Sequence, residues 1–190
     1  MNQTIRESVE QSVALKRAFF EANEGRVAAL AVELTNTLES GGKVLLFGNG
    51  GSAADAQHIA AELVGRFRRE RPPLAAIALS TDTSVLTSIA NDYGYGQVFA
   101  RQVRALGRPG DFAVGISTSG KSTSVLEGIA AARELGLMTA ALTGCDGGRL
   151  GAAVHFHLNV PSERTDRVQE VHIMIGHILC QLVEESLKGS

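Results

Sequence analysis

A histidine and a glutamate that stand four positions apart, His58 and Glu62, follow closely on the glycine-rich residues 48–52. In an α-helix, side chains at positions i and i+4 project from the same face, so the imidazole and the carboxylate can reach one point. Both groups are ligands of zinc and of similar divalent ions, although two ligands are too few to hold a metal. The spacing therefore predicts part of a metal-dependent active site beside a polar turn of the backbone.

Four hydroxyl side chains lie within six residues further along the chain: Ser117, Thr118, Ser119 and Ser122. They stand between an apolar segment and a helical one, where unpaired backbone N–H groups and the positive end of the helix dipole favour an anion. N-capping of that helix would also explain serines in these places. Four hydroxyls in so short a segment favour a site for a phosphate monoester, and capping stays open as the alternative.

The same segment, residues 115–122, matches the nucleotide-binding P-loop pattern of a glycine, four residues and then Gly-Lys-Ser. Its context argues against a P-loop, because Gly115 falls inside the apolar run and the turn is built of hydroxyl residues. A P-loop protein also needs an aspartate for magnesium at the end of a later strand, and residues 138–144 contain none. We therefore favour a phosphate monoester over a nucleotide as the ligand.

Short apolar runs alternate with helical patterns along the chain, which is typical of a parallel sheet covered by helices on both faces. The first forty residues predict two helices, which Gly41 and Gly42 bring to an end, and a long helix is expected at about 164–187. Because the carboxyl ends of parallel strands share one rim, the loops after the strands should meet there. The predicted strands are 43–47, 74–79, 112–116, 138–142 and 154–160.

The helices at both ends of the chain carry more apolar surface than a three-layer domain of this size needs for its own packing. Surplus apolar surface on helices usually indicates self-association. Simple coverage of the sheet by these helices is the alternative, and chain length does not decide between the two.

The 190 residues fit a single domain, 1–190, with a core large enough to fold without disulfides. Eighteen basic and twenty acidic residues give a net charge of −2, which argues against binding to nucleic acid. The cysteines, Cys145 and Cys180, are far apart and suit a reducing compartment. The sequence has no apolar run near the roughly 20 residues that span a bilayer, so we expect a cytoplasmic protein without membrane contact.

Several of these segments, taken together, resemble the bacterial phosphoheptose isomerases of the sugar isomerase (SIS) superfamily. The resemblance covers nearly the whole chain, and the matching segments occur in the same order with similar spacing. The hydroxyl segment alone would indicate only the superfamily, whereas the joint presence of His58, Glu62, Gln169 and His177 is much more specific. The matching segments are residues 48–52, 55–62, 91–92, 117–122 and 167–177.

The resemblance implies a three-layer α/β/α fold with a five-stranded parallel sheet, in a homotetramer assembled through the long terminal helices. It implies one Zn²⁺ per subunit, bound by His58, Glu62, Gln169 and His177. The phosphate of the substrate would lie at Ser117, Thr118, Ser119 and Ser122. Further substrate contacts are implied for Asn49, Gly50, Gly51, Ser52, Glu62, Asn91, Asp92 and Gln169.

The activity that the resemblance implies is the conversion of sedoheptulose 7-phosphate to D-glycero-D-manno-heptose 7-phosphate, as in heptose biosynthesis for lipopolysaccharide. An aldose–ketose interconversion moves a proton between two adjacent carbons, and Glu62 is the candidate base, with His177 exchanging protons at the oxygens. The alternative is a non-catalytic SIS-domain protein that binds a sugar phosphate or the replication initiator. The presence of both Glu62 and His177 favours the enzyme, while the downstream pathway stays open.

The spacing of the implied ligands sets a geometric condition. Gln169 and His177 stand eight residues apart on one helix, about 12 Å of rise, so a shared metal would lie midway between them. Neighbouring subunits could instead contribute some of the ligands. Asp55, three residues before His58, is a candidate partner that orients the imidazole.

The other histidines favour structural or surface roles. His155 and His157 alternate along a predicted strand and are expected at the surface. His172 stands among apolar residues of the last helix and is expected to be part of the core.

Overall fold

The chain forms five parallel strands that alternate with helices, and the computed structural model describes residues 1–187. The strands are β1 Val44–Gly48, β2 Ala76–Ala78, β3 Phe112–Ser117, β4 Met138–Gly144 and β5 Phe156–Val160. The helices are α1 Asn2–Glu39, α2 Gly51–Val64, α3 Thr83–Tyr93, α4 Val98–Leu106, α5 Thr123–Glu134, α6 Gly148–Gly151 and α7 Thr165–Ser186. A 3₁₀ turn, Tyr95–Gln97, joins α3 to α4.

The strands lie in the order β2-β1-β3-β4-β5, and each neighbouring pair is parallel. The chain moves from β1 outward to β2 and then crosses to β3 on the other side, so the direction of winding changes between β1 and β3. Ligands of such sheets bind outside the carboxyl ends of the strands at this switch point. The loops after β1 and β3 are therefore the first place to look for a site.

Both faces of the sheet are covered, as the apolar runs predict. Along β1, Val44 and Leu46 pack with α1, α2 and α7, whereas Leu45 and Phe47 pack with α4 and α5 on the opposite face. Successive side chains of a strand point to opposite faces, so a run that is apolar at every position fits a central strand. The predicted three-layer fold class is confirmed.

The first forty residues form one helix of 38 residues, so the prediction of two helices was wrong. Gly25 is tolerated inside α1, since a glycine costs a helix interior only about 1 kcal/mol and the surrounding turns supply the packing. The Asn23 side chain bonds back to the Phe19 carbonyl within the helix, at 2.9 Å, and so does not interrupt it. Helix α1 instead packs against α7, where Ser12 donates to Glu170 and Arg167 donates to the Ser8 carbonyl.

Helices α2 and α7 lie side by side because α7 carries a glycine where α2 presents a bulky side chain. A Cβ atom at Gly176 would stand 2.5 Å from Ile59 Cδ1, so any side chain at this position would have to displace Ile59. Both helices begin at the carboxyl rim of the sheet, after β1 and β5, and run back toward the other rim. Residues far apart in the sequence are thus paired at similar depths along the two helices.

Within residues 1–187, none of the helices combines the length and the apolar character needed to cross a membrane.

Candidate active site

A group of side chains that could bind a metal joins α2 to α7. His58 Nε2 lies 2.9 Å from His177 Nε2 and 3.3 Å from Glu62 Oε1. One ligand atom from each of the three residues falls within 4.8 Å of the others. We call His58, Glu62 and His177 the metal cluster.

The metal cluster is open on one side and backed by an aromatic ring on the other. The His58 side chain is 49% exposed and that of Glu62 is 23% exposed. The Phe67 ring stacks on His177, with 5.7 Å between ring centroids and 25° between planes. The imidazole of His177 is thus fixed by packing, while the side of His58 that faces away from the core is free to meet another molecule.

Asp55 lies one turn before His58 on α2. Its Oδ2 atom is buried and has no hydrogen-bond partner among the described residues. Burial raises the pKa of the Asp55 carboxyl to about 6, against the opposing influence of His58. No direct hydrogen bond joins His58 to the Asp55 carboxylate within residues 1–187, so the suggested orienting role of Asp55 stays a prediction.

The donor set of the metal cluster fits a divalent ion. Two imidazole nitrogens and one carboxylate oxygen are a common ligand set of zinc, which takes four ligands and leaves one position for another group. The convergence of these three lone-pair donors is an arrangement that a divalent cation would stabilise.

Gln169, the fourth predicted ligand, belongs to α7. Its side chain lies beside the start of α2, away from His58 and Glu62. A Cβ atom at Gly51 would stand 2.5 Å from Gln169 Nε2, so the amide rests directly on the glycine loop. Gly51 precedes His58 by seven residues, or about 10 Å of helical rise. Within one chain, the structure brings three of the four predicted ligands together and holds Gln169 against the glycine loop.

The glycine loop after β1 turns sharply before α2 begins. Gly50 has φ 57° and ψ −124°, a combination that glycine adopts and other residues avoid. A Cβ atom at Gly48 would stand 2.8 Å from the Ile116 carbonyl oxygen, so this glycine lets the loop approach β3. Gly51 is exposed and Ser52 is buried at the start of α2.

Asn49 joins the loops after β1 and β3 at the switch point of the sheet. Its Nδ2 donates to Ser122 Oγ at 2.9 Å and to Ser124 Oγ at 3.0 Å. The Tyr95 hydroxyl donates to Asn49 Oδ1 at 2.8 Å, which fixes the orientation of the amide. Ser124 and Tyr95 were not predicted as site residues, although Ser124 could have been found as a further hydroxyl of the same segment.

Residues 117–122, which we call the hydroxyl loop, run from the end of β3 to the start of α5. Ser117 is buried, Thr118 is half-buried and Ser119 is exposed. Gly120 has φ 62° and touches Gly147, so a Cβ atom there would collide with the Gly147 carbonyl. The turn at Gly147 therefore supports the hydroxyl loop from behind.

The capping explanation for Ser122 does not describe this geometry. Ser122 is the residue before α5, yet in the described chain its hydroxyl accepts no bond from an amide of that helix and is engaged with Asn49 instead. The first amides of α5 and the loop hydroxyls thus remain available to an anion. Lys121 is exposed and its Nζ lies 3.8 Å from Asp146, outside the loop, which argues further against a P-loop.

Asn91 and Asp92 are exposed on the last turn of α3, three to four residues before Tyr95. Asn91 Nδ2 donates to Asp92 Oδ1 at 2.8 Å. The structure thus pairs these two predicted substrate residues with each other rather than with the glycine loop.

The remaining histidines divide between core and loop support. His172 is fully buried with its Nε2 2.9 Å from the Thr143 carbonyl, and burial lowers its pKa to about 4, as expected of a structural residue. His155 is exposed, as predicted. The surface prediction for His157 was wrong, because its ring is half-buried against Gly147 and lies 2.7 Å from Thr143 Oγ1.

Comparisons with known proteins identify the family of the chain. The family model described as the SIS domain matches residues 9–144. The phosphoheptose isomerase of Roseiflexus sp. (strain RS-1) is 56% identical, over 95% of this chain and 92% of its own length. That of Aquifex aeolicus (strain VF5) is 52% identical over 97% of both chains.

Solved structures give the same result. The phosphoheptose isomerase of Neisseria gonorrhoeae is 44% identical and superposes with a TM-score of 0.92, covering 97% of this chain and 98% of that one. The phosphoheptose isomerase of Francisella tularensis is 38% identical with a TM-score of 0.93 and the same coverage.

Proposed function

The chain belongs to the phosphoheptose isomerases of the SIS domain family, and from this premise we propose that it interconverts sedoheptulose 7-phosphate and D-glycero-D-manno-heptose 7-phosphate. The observation that carries the proposal is the convergence of His58, Glu62 and His177. A protein that only binds a sugar phosphate needs the hydroxyl loop but has no use for a carboxylate and an imidazole held together.

The isomerisation needs one proton moved between C1 and C2 and protons exchanged at the two oxygens. Glu62 is the base that takes the proton from one carbon and returns it to the other through a cis-enediol. His177 exchanges protons with the carbonyl and hydroxyl oxygens. The stack of Phe67 on His177 supports this role, because it restricts the imidazole to one orientation.

A divalent ion belongs to this proposal, with zinc as the expected metal. His58, Glu62 and His177 would hold it, and Gln169 is the predicted fourth ligand. When bound, zinc supplies a Lewis acid that polarises the substrate oxygens.

The substrate is held at its other end by the hydroxyl loop. Ser117, Thr118, Ser119 and Ser122 donate hydroxyls to the phosphate, and the start of α5 adds backbone N–H groups. This anchor supplies binding energy that orients the reacting carbons. The sugar hydroxyls are the expected partners of Asn49, Gly50, Gly51, Ser52, Asn91, Asp92 and Gln169.

The active site is formed between subunits. Helix α2 runs away from the rim that carries the hydroxyl loop, and Glu62 comes eleven residues after Gly51, about 16 Å of rise. A single sugar phosphate held at both ends therefore uses the hydroxyl loop of one subunit and the metal cluster of another.

The terminal helices support the expected homotetramer. Ile5, Val9 and Val13 form a stripe on α1 whose side chains are all more than half exposed. A groove of about 720 Å³ lies between α1 and α7, lined in part by Phe20, Ile178 and Leu182. Apolar surface of this kind is what subunit contacts cover. The cytoplasm is the expected location, since Cys145 and Cys180 are both free thiols.

A coupled assay with sedoheptulose 7-phosphate, with and without a chelator, tests the proposal. We expect turnover that the chelator abolishes and that added zinc restores. Binding of the sugar phosphate without turnover in the zinc-loaded protein would contradict the isomerase function and support the non-catalytic alternative.

A further inference from the structure

Glu184, near the end of α7, is a buried carboxylate with an unusually complete set of donors. Its oxygens accept three consecutive backbone N–H groups, from Phe67 at 3.1 Å, Arg68 at 2.8 Å and Arg69 at 2.9 Å. Arg71 Nε donates to the same carboxylate at 3.1 Å. The side chain is only 3% exposed, so these bonds form in a site largely screened from water.

Arg71 carries the connection from Glu184 to the end of α2. Its Nη2 donates to the Glu62 carbonyl at 2.8 Å, and its Nη1 donates to the Leu63 carbonyl at 2.9 Å. The last carbonyls of a helix lack partners within the helix, and a cation there also interacts favourably with the helix dipole. Arg71 thus holds the backbone of the residue whose carboxylate belongs to the metal cluster.

The segment that Glu184 binds, residues 67–71, also contacts α7, the second helix of the metal cluster. Phe67, whose N–H points to Glu184, stacks its ring on His177. Glu184 and His177 stand seven residues apart, two turns of α7, and so share one face of that helix. One buried ion pair is therefore linked to the backbone of Glu62 and to the ring of His177, without occupying the ligand atoms of either.

We propose that Glu184 and Arg71 are positioning residues that set the metal cluster by fixing the last turn of α2 and the Phe67 ring against α7. The inference rests on the proposed function only in that the cluster binds a divalent metal. The competing explanation is that the pair merely stabilises the loop between α2 and β2. If Glu184 and Arg71 position the metal cluster, their loss lowers metal affinity in a protein that is still folded. If they only stabilise the loop, their loss lowers the melting temperature and leaves metal affinity unchanged.

The chain offers a matched control in a second buried carboxylate. Asp111 is 4% exposed, pairs with Lys43 Nζ at 2.5 Å and accepts the N–H groups of Lys43 and Arg108. Its partners belong to the segments that precede β1 and β3 and not to α2 or α7. Asp111→Asn therefore removes the same kind of interaction at a place with no connection to the metal cluster.

The test measures zinc affinity by competition with a chromophoric chelator, together with the melting temperature, for the full chain and its variants. For Glu184→Gln we expect zinc affinity to fall on the order of 10- to 100-fold, as for other partners that orient metal ligands. With saturating zinc, kcat should fall while KM for the sugar phosphate changes little. Asp111→Asn should lower the melting temperature and retain wild-type zinc affinity.

A double variant separates positioning from stability. Glu184→Gln combined with Arg71→Met removes the unpaired buried charge, so the melting temperature should recover part of the loss seen in Glu184→Gln. Zinc affinity should stay low, because Arg71→Met removes the contact with the Glu62 carbonyl. Recovery of zinc affinity along with the melting temperature would overturn the proposal, and so would wild-type affinity in Glu184→Gln.

The outcomes also distinguish this inference from the proposed function. A wild-type protein that binds zinc but does not turn over sedoheptulose 7-phosphate contradicts the isomerase function, and the zinc measurements then still decide the role of Glu184. A wild-type protein that binds no zinc overturns both.

Discussion

The hydroxyl loop and the metal cluster differ in how much of the chain must fold to form each. The hydroxyl loop comes from one segment at the end of β3 and is secured by neighbours at the same rim, Asn49 and Gly147. The metal cluster joins residues 119 positions apart and depends on the packing of α2 against α7. A binding loop can thus be complete within one strand–loop–helix unit, whereas the chemistry here requires the docking of two helices.

The largest expected effect concerns the metal cluster. Glu62→Gln should leave the fold intact but lower kcat by a factor on the order of 10² to 10⁴, because the amide cannot act as a base. Steady-state kinetics and circular dichroism check this, with Glu134→Gln as the control, because Glu134 is an exposed residue at the end of α5. Unchanged turnover would rule out Glu62 as the base.

His172 tests how α7 is held against the sheet, because its Nε2 lies 2.9 Å from the Thr143 carbonyl near the end of β4. Burial lowers its folded-state pKa from 6.5 to about 4, so the unfolded chain takes up the proton first as the pH falls. The free energy of unfolding should therefore decrease between about pH 6.5 and pH 4, by roughly 3 kcal/mol from this residue. Urea unfolding across this range should give a flatter profile for His172→Gln; an identical profile would contradict the assignment.

The hydroxyl loop should respond in binding rather than in chemistry. Ser119→Ala combined with Ser122→Ala should raise KM on the order of 100-fold or more, since each hydroxyl lost to a charged phosphate costs about 1.5–3 kcal/mol and two are removed, and kcat should change little. Competition by inorganic phosphate measures the same loss without turnover. A lower melting temperature with unchanged KM would favour the capping explanation.

The approach of α2 to α7 can be disturbed without touching a ligand. Gly176→Ala places a methyl group against Ile59, and overpacking of this kind costs about 1–3 kcal/mol. We expect zinc affinity to fall about 10-fold while phosphate competition stays at the wild-type value. Gly25→Ala is the control, because open space surrounds that position on α1 and the change should stabilise the helix.

The smallest effect concerns the orientation of Asn49. Tyr95→Phe removes the hydroxyl that donates to Asn49 Oδ1, so the amide loses its fixed orientation at a cost of about 1 kcal/mol. KM should rise about 5-fold. Tyr93→Phe is the control, since Tyr93 instead packs beneath the Arg101 guanidinium, and a similar rise in that variant would contradict a specific role for Tyr95.

The same contrast explains what the sequence could predict. The strands and the hydroxyl loop were predicted because each has a signal in consecutive residues. Apolar runs indicate the strands, and clustered hydroxyl residues indicate the loop. The pair His58 and Glu62 followed from helical spacing, but His177 entered only through the family resemblance, since nothing local connects it to α2. The contacts of Tyr95 with Asn49 and of Glu184 with Arg71 could not be predicted, because they arise from packing between distant segments.

Helix α1 is a second case in which tertiary contacts, and not the local sequence, decide the structure. Its apolar pattern predicts helix correctly, yet the pattern alone does not indicate that Gly25 leaves the helix unbroken. The contact with α7 on both sides of the glycine decides this.

The exposed apolar stripe on α1 has a consequence for how stability is measured. If copies of the chain cover Ile5, Val9 and Val13, part of the folding free energy is supplied by association and obeys mass action. The melting temperature would then rise with protein concentration. Dilution alone would lower the free energy of unfolding, as a mild denaturant does.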